Sequence, residues 1–460
     1  MNTSGTATAA PYERVLRCAA PLTAVLLWLS PIATAQTPEP APLRLTLDDA
    51  VRRGVETSHR IAEAVARGEA ADAAVGERRA ATLPQIAGQA GYTRTNHVDT
   101  FGILLPNNQL RVIYPDVPDN YRTRLDLQWP VYTGGRLDAL ERAARIDATA
   151  SADEVATARA ELTLEITRAF WSFVTTTESL RVVQEAVTRI AAHLKDVRNQ
   201  LAAGLVPPSD VFTVEAQESR QRMLAVQARV ARASAEAELA RLVGVAPGTA
   251  LETFGTPEGA PDVAHAPAGS FATLIGAALH QRSERAALVK RLDAATERSR
   301  AATAGTKPIV AVGGGLDYAS PNPRIFPREK AWRTSWDASV NVNWPLFDGG
   351  RARSEMAEAA ASARVVRERL ADFDASLAVE IRQRLSEIEA SRAAIDAAAD
   401  AVRSATEARR VLGDRFAAGV ATSTDVLDAQ VALLQAELDR TQAVANAHLA
   451  DARLARALGQ

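Results

Sequence analysis

Two aspartates, Asp425 and Asp428, stand three residues apart near the end of a 460-residue chain. On a helix that spacing puts both carboxylates on one face, and like charges crowded together at a constriction should raise one another's apparent pKa and attract cations. Asp210 is the matching acid earlier in the chain. Other chemistry-bearing residues are dispersed. The six histidines (59, 97, 193, 265, 280 and 448) form no HExxH motif and no i, i+4 pair. His193 and His448 fall in helical patterns, where each is expected to face solvent or a neighbouring helix. The single cysteine, Cys18, excludes a disulfide framework and any Cys-based zinc site. Gly134-Gly135 and Gly349-Gly350 belong to no GxGxxG or GKS/T sequence and read as strand-to-helix turns, not a phosphate cradle. No acid, base and nucleophile converge in the sequence, so neither catalysis nor a cofactor or metal is expected.

Composition narrows the classes. Fifty-three basic residues against 55 acidic ones leave a net charge of −2, which argues against a nucleic-acid partner. Hydrophobic residues at 47% fit a folded chain, and the low aromatic share (5%) with abundant alanine favours long helices. At roughly 150 residues per domain the length corresponds to about three domains, or fewer if the architecture is elongated. Arg14 and Arg17, the apolar stretch Ala19 to Leu29 and Ala33-Thr34-Ala35 read as an export signal over residues 1–35. Cys18 lies ahead of the apolar core, so it is not placed to carry a lipid.

The chain is internally duplicated. Trp129-Pro130-Val131-Tyr132-Thr133-Gly134-Gly135-Arg136 aligns with Trp344-Pro345-Leu346-Phe347-Asp348-Gly349-Gly350-Arg351 at an offset of 215. The same offset pairs Ala202-Ala203-Gly204 with Ala417-Ala418-Gly419, Asp210-Val211 with Asp425-Val426, and Gly244 with Gly459. A constant register over more than a hundred residues predicts equal element lengths in the two halves.

Each half changes period from strand-like to helical. Tyr121, Leu125, Leu127, Trp129 and Val131 alternate with Arg122, Arg124, Asp126 and Gln128. In the second copy Trp336 to Leu346 alternates more cleanly. These read as ten-residue strands with one oily and one polar face. Weaker strands, Pro84–Arg94 and Pro308–Tyr318, precede them across loops at Thr95–Asn120 and Ala319–Thr334. After each Gly-Gly-Arg the chain runs without proline to the next Gly turn, predicting a helix from Gly135 to Gly204 about 100 Å long. Such length indicates coiled-coil packing. Gly204 and Gly419 then end one helix, and Ser209 or Thr424 with the following Asp starts another. Shorter helices are predicted over Thr46–Thr82 and Phe271–Thr306.

In hydrocarbon a spanning sheet must close, because every backbone donor and acceptor needs a partner. Nine to eleven residues suit a tilted barrel wall. Trp129, Tyr132, Trp344 and Phe347 stand at strand ends, where an aromatic girdle would lie. Four strands cannot enclose a polar lumen, so the chain would need copies of itself in a ring.

The double Trp-Pro…Gly-Gly-Arg motif, the two Gly-x5-Asp turns and the runs ending in Gly244 and Gly459 resemble TolC-like outer-membrane efflux ducts. The resemblance covers nearly all of the chain after residue 35. It implies a mixed α+β membrane protein: a homotrimer whose twelve-stranded β-barrel sits in outer-membrane lipid and continues as a twelve-helix α-barrel across the periplasm. Such a duct docks with a periplasmic adaptor and an inner-membrane pump and exports drugs, metals, dyes or proteins. On that reading residues 36–83 form an N-terminal segment with short helices, and residues 246–307 a linker with short helices. Residues 84–132 and 308–347 are barrel strand pairs, and residues 133–245 and 348–460 are periplasmic hairpins. By resemblance Gly204, Leu205, Ser209, Gly419, Val420 and Thr424 are tips that meet the adaptor. Asp210, Asp425, Asp428 and Phe416 fall at the periplasmic gate. Phe416 stands where a tyrosine can occur in the family and Ala421 where an arginine can, so those inter-helix locks are not carried over.

Thr422-x-x-Asp425 also fits a capping box, which by itself accounts for an acid at a helix start. Asp428 lies one turn further in, and its first-half counterpart is Thr213. An exported coiled-coil adaptor or scaffold without a pore is the other class the residues allow. Nothing in the sequence identifies the cargo.

Overall fold

The computed structural model describes residues 42–253 and 270–460. The export signal expected over residues 1–35 and part of the 246–307 linker lie outside the described residues.

In chain order β1 (Leu43–Leu45), α1 (Leu47–Thr57) and α2 (His59–Ala80) lead into β2 (Gln85–Arg94), β3 (Phe101–Leu104), β4 (Leu110–Tyr114) and β5 (Asp119–Tyr132). A helical hairpin, α3 (Arg136–Ala202) and α4 (Pro208–Val243), completes the first repeat. The second runs through β6 (Leu251–Thr253), α5 (Phe271–Gln281), α6 (Ser283–Thr303), β7 (Ile309–Ser320), β8 (Arg333–Asn343), α7 (Arg351–Ala417) and α8 (Ser423–Leu458). Both long helices have 67 residues and both returning helices have 36.

Apolar residues at steps of three and four decide the helix packing. On α3, Leu162, Ile166, Phe170 and Phe173 are buried, as are Ile190, Leu194 and Val197 further along. Contacts give the lateral order α4–α3–α8–α7, with α2 along α3 and α6 against both α3 and α7. The flanks of this layer stay apolar and open: Met223, Val226 and Val230 on α4 and Val365 and Val379 on α7 are exposed.

The helical stretch expected over Thr46–Thr82 is divided into α1 and α2, and the one over Phe271–Thr306 into α5 and α6. Ser58 and Arg282 break them with extended backbone (ψ 119° and 117°). Neither break carries a glycine or proline, so composition could not reveal it. Tertiary packing sets it, because the end of a returning helix abuts each break. A Cβ on Gly244, at the end of α4, would lie 2.4 Å from Thr57 Oγ1, and one on Gly459, at the end of α8, 2.8 Å from the Gln281 carbonyl carbon. Buried Arg282 donates to the Arg456 carbonyl at 2.9 Å and so caps α8. Gly244 also has φ +71°. Gly244→Ala is therefore expected to destabilise this junction by about 2–4 kcal/mol, from left-handed strain plus overpacking. Hydrogen exchange at α1 and the end of α4 would report it, and adding Thr57→Ala should recover part of the loss.

The main sheet is antiparallel throughout, in the order β2–β5–β7–β8. Register places Gly88, Leu125, Leu316 and Trp336 in one cross-strand row, and Ile86, Leu127, Gly314 and Ala338 in the next apolar row. Rows on the opposite face hold Gln89, Arg124, Asp317 and Ser335, then Ala87, Asp126, Gly315 and Asp337. The oily face is bare, with Trp336 76% and Ile86 75% exposed. The loop expected at Thr95–Asn120 contains the β3–β4 hairpin. Strand β8 stops at Asn343 rather than reaching Leu346, because β7 begins at Ile309, which pairs with Asn343, and offers no partner beyond it. Strand β5 runs through Pro130 to Tyr132, shifting register past the missing N–H.

Candidate functional site

The two helix turns form one end of the molecule's helical layer, and they are built alike. Leu205 N–H donates to the Gln200 carbonyl and Val420 N–H to the Arg415 carbonyl, both at 2.9 Å. These six-to-one bonds are helix-ending motifs that need a left-handed residue, supplied by Gly204 (φ +74°) and Gly419 (φ +73°). Leu205 and Val420 project into solvent, 74% and 63% exposed, and Ser209 and Thr424 beside them are exposed as well.

The following helices start differently. On α8 the Thr422 hydroxyl accepts from Asp425 N–H at 3.2 Å, while Asp425 Oδ2 accepts from Thr422 N–H at 2.8 Å, a closed capping box. The Thr422 hydrogen bonds hold the Asp425 carboxyl below the usual aspartate range. That is opposite to the rise expected from crowding, and within one chain the cap governs. On α4 the cap position is Pro207, whose side chain has no hydrogen-bonding group, and Asp210 accepts a 3.3 Å contact from Ser209. Asp428 is exposed one turn along α8, with no ion pair or side-chain hydrogen bond among the described residues.

Phe416 is buried, unlike the aspartates. It joins Ile190, Leu194 and Val197 of α3, Val211 and Val214 of α4, and Val426 and Leu427 of α8 in one cluster. His193 enters the same region: its Nε2 lies 3.0 Å from Ser423 Oγ, and its ring stands edge-on to Phe416 at 5.1 Å between centroids. Burial pushes the His193 pKa down, partly offset by Asp196 and by the Ser423 backbone. His448 stacks flat on Trp171 at 3.7 Å. Both histidines thus face neighbouring helices.

At the other end, Trp129 Nε1 donates to the Thr82 carbonyl at 3.2 Å and Trp344 Nε1 to the Thr306 carbonyl at 3.1 Å. Each indole therefore ties a strand end to the helix arriving before the sheet. Tyr132 and Phe347 follow, 47% and 91% exposed. Gly134, Gly135, Gly349 and Gly350 all have positive φ, and Gly135 and Gly350 occupy the N-cap positions of α3 and α7. Asp348 supplies the missing cap from two residues back, accepting from Gly350 N–H at 3.0 Å and Ala352 N–H at 2.8 Å.

Alternation had marked Arg122 and Arg124 as polar-face residues but could not pair them. Asp317, fully buried, accepts from Arg122 Nε at 2.6 Å and from Arg124. Arg124 also reaches Asp337 at 2.9 Å, and Arg324 meets the same Asp337 at 2.7 Å. A Cβ on Gly315 would lie 2.2 Å from Arg124 Nη2, so the small residues of β7 let this arginine lie across the strand. Among the described residues no cluster of three or more His, Cys, Asp or Glu could hold a metal ion, and no helix is long and apolar enough to cross a membrane.

A duplicated strand-pair and helical-hairpin unit, with a bare oily sheet face and a charged reverse face, defines a class of outer-membrane channel. The chain belongs to the outer membrane efflux protein family, whose sequence profile matches residues 52–245 and 274–460. It is 25% identical over 392 residues to protein CyaE of Bordetella pertussis, covering 84% of this chain and 78% of that protein. Its fold matches a membrane protein from Pseudomonas aeruginosa with TM-score 0.76 at 22% identity, over 90% of this chain and 92% of that one. The Vibrio cholerae outer membrane protein VceC matches with TM-score 0.74 at 20% identity, over 90% and 96%. The protein is an outer-membrane efflux channel, a TolC-like transport duct and not an enzyme.

Proposed function

We propose that three copies of this chain close into a continuous duct, which forms the exit of a tripartite efflux or type I secretion system. The observation that carries this is that one chain leaves matching open edges in both layers. The sheet ends in β2 and β8, of 10 and 11 residues, and the helical layer ends in α4 and α7. An antiparallel sheet with an even number of strands puts β8 of one copy antiparallel to β2 of the next, so a ring closes without reversing any strand. Closure satisfies the edge N–H and C=O groups that lipid would leave unpaired and turns the oily face outward.

On this reading residues 84–132 and 308–347 supply the barrel wall, and residues 133–245 and 348–460 a sleeve extending into the periplasm. The turn end is the periplasmic mouth. Its exposed apolar Leu205 and Val420 suit docking to a periplasmic adaptor, and Asp210, Asp425 and Asp428 ring the opening. The inner-membrane pump, through that adaptor, would choose the cargo.

Electron microscopy of the detergent-extracted membrane-fraction protein, with its oligomeric mass, tests the assembly. A trimeric cylinder well over ~100 Å long is expected from the helix length. A soluble monomer or dimer with no barrel end would overturn it in favour of a poreless scaffold.

A further inference from the structure

We infer that His193 is a proton-sensitive latch that holds the first helical hairpin to the second at the mouth, through Ser423 and Phe416. The inference rests on the proposed function, in which the turn end is the opening of the duct.

Around the tip the junction between the hairpins is made of apolar side chains, Ile190, Leu194 and Val197 against Phe416, Val426 and Leu427, and the Arg189–Glu437 ion pair crosses it farther along α8. Apolar contacts are non-directional, so they hold the helices together without setting one position. The His193–Ser423 hydrogen bond is buried and joins α3 to the first turn of α8. The edge-on contact with Phe416 adds α7. One imidazole therefore touches both helices of the second hairpin, within a turn of its tip.

The duplication supplies an internal control. At the offset of 215, His193 corresponds to Ala408, Ser423 to Pro208 and Phe416 to Leu201. In a ring of copies, the α7–α4 junction between neighbours therefore has neither the imidazole nor the hydroxyl. Each copy carries the latch at one of its two hairpin junctions, and the other has no such group to titrate.

Protonation weakens the latch for a definite reason. The charged groups around it are Lys195 and Asp196 on α3, the Arg189–Glu437 ion pair joining α3 to α8, the Arg198–Glu215 ion pair joining α3 to α4, Asp210 on α4, Asp414 and Arg415 on α7, and Asp425 and Asp428 on α8. Of these Asp196 is the one that acts on the imidazole, and it does not outweigh burial. The neutral ring is thus favoured while the hairpins are together. Parted hairpins would expose the ring to water, where it titrates near 6.5. A base held below its ordinary pKa in the closed arrangement favours the open one as pH falls below that ordinary value. Three latches around one axis compound the effect.

Single-channel recording of the purified full chain in planar bilayers tests this, between about pH 7.5 and about pH 5.5. The open fraction should rise at least threefold or so on acidification. His193→Gln keeps a hydrogen-bonding side chain but cannot titrate, and should stay flat across the range. Ser423→Ala should keep the acid response while opening more often at neutral pH. An acid response undiminished in His193→Gln, or none in the parent, overturns the latch while leaving the duct intact. A chain that never conducts, in any variant or at any pH, removes the duct reading and the latch with it. An Asp425→Asn, Asp428→Asn variant that still responds to acid would separate the imidazole from the acids at the mouth.

Discussion

Channels with both Asp425→Asn and Asp428→Asn are expected to lose most of their cation selectivity, and to need at least about tenfold more multivalent cation for half-block than the parent. Three copies would bring six carboxylates around one axis, and like charges confined at a constriction concentrate counter-ions. Asparagine is the informative replacement because it still offers an oxygen to Thr422 N–H, so the start of α8 survives. The Thr422 cap holds the Asp425 carboxyl below its ordinary range. A depressed acid keeps its charge above the usual aspartate value and loses it only as pH falls through the lowered one. In the assembled ring this cap opposes the rise that crowded carboxylates cause, so block should weaken on acidification less than crowding alone would make it. Unchanged block in the double variant would remove Asp425 and Asp428 from the gate.

The second large effect lies in the sheet. Asp317→Ala is expected to lower the temperature at which the proposed trimer falls apart in detergent by roughly 5 °C. Asp317 has no exposed side-chain surface and takes hydrogen bonds from Arg122 and Arg124, bridging β5 to β7. Without it Arg122 loses its ion-pair partner, while Arg124 keeps Asp126 and Asp337. Arg122 is half exposed and can turn to water, so the cost is the lost charge-assisted hydrogen bonds between β5 and β7, with Arg124 left one acceptor short. Asp317→Asn, which retains an acceptor, should show about half the shift. Heat-dissociation gels of the two variants beside the parent would decide it, and identical curves for all three would show that the network contributes nothing to assembly.

Much of this architecture was legible in one dimension. The Trp-Pro and Gly-Gly-Arg coincidences at a single offset are features composition cannot imitate. They anticipated paired helices of 67 and 36 residues. Alternation around Leu125 and Leu127 correctly separated the two faces of β5, since side-chain direction in a strand follows from parity alone. The cap formed by Thr422 and Asp425 was readable because a capping box closes within four residues.

What escaped is what long-range contact decides. Ser58 and Arg282 break helices through neighbours that arrive from Gly244 and Gly459, not through their own propensity. Strand β8 ends where β7 ceases to pair with it. His193 looked like any helical histidine, because its partner Ser423 is 230 residues away. The acids at the turn end illustrate the same division. Their spacing on a helix face was readable in the sequence, but crowding was expected to raise their titration. The folded chain instead gives Asp425 a cap that lowers it, because hydrogen bonds within one turn act at contact distance whereas repulsion needs the charges of other copies. Local periodicity and the repeat determined the parts and their lengths. Only the tertiary structure decided which side chains meet, because those meetings depend on packing between segments hundreds of residues apart.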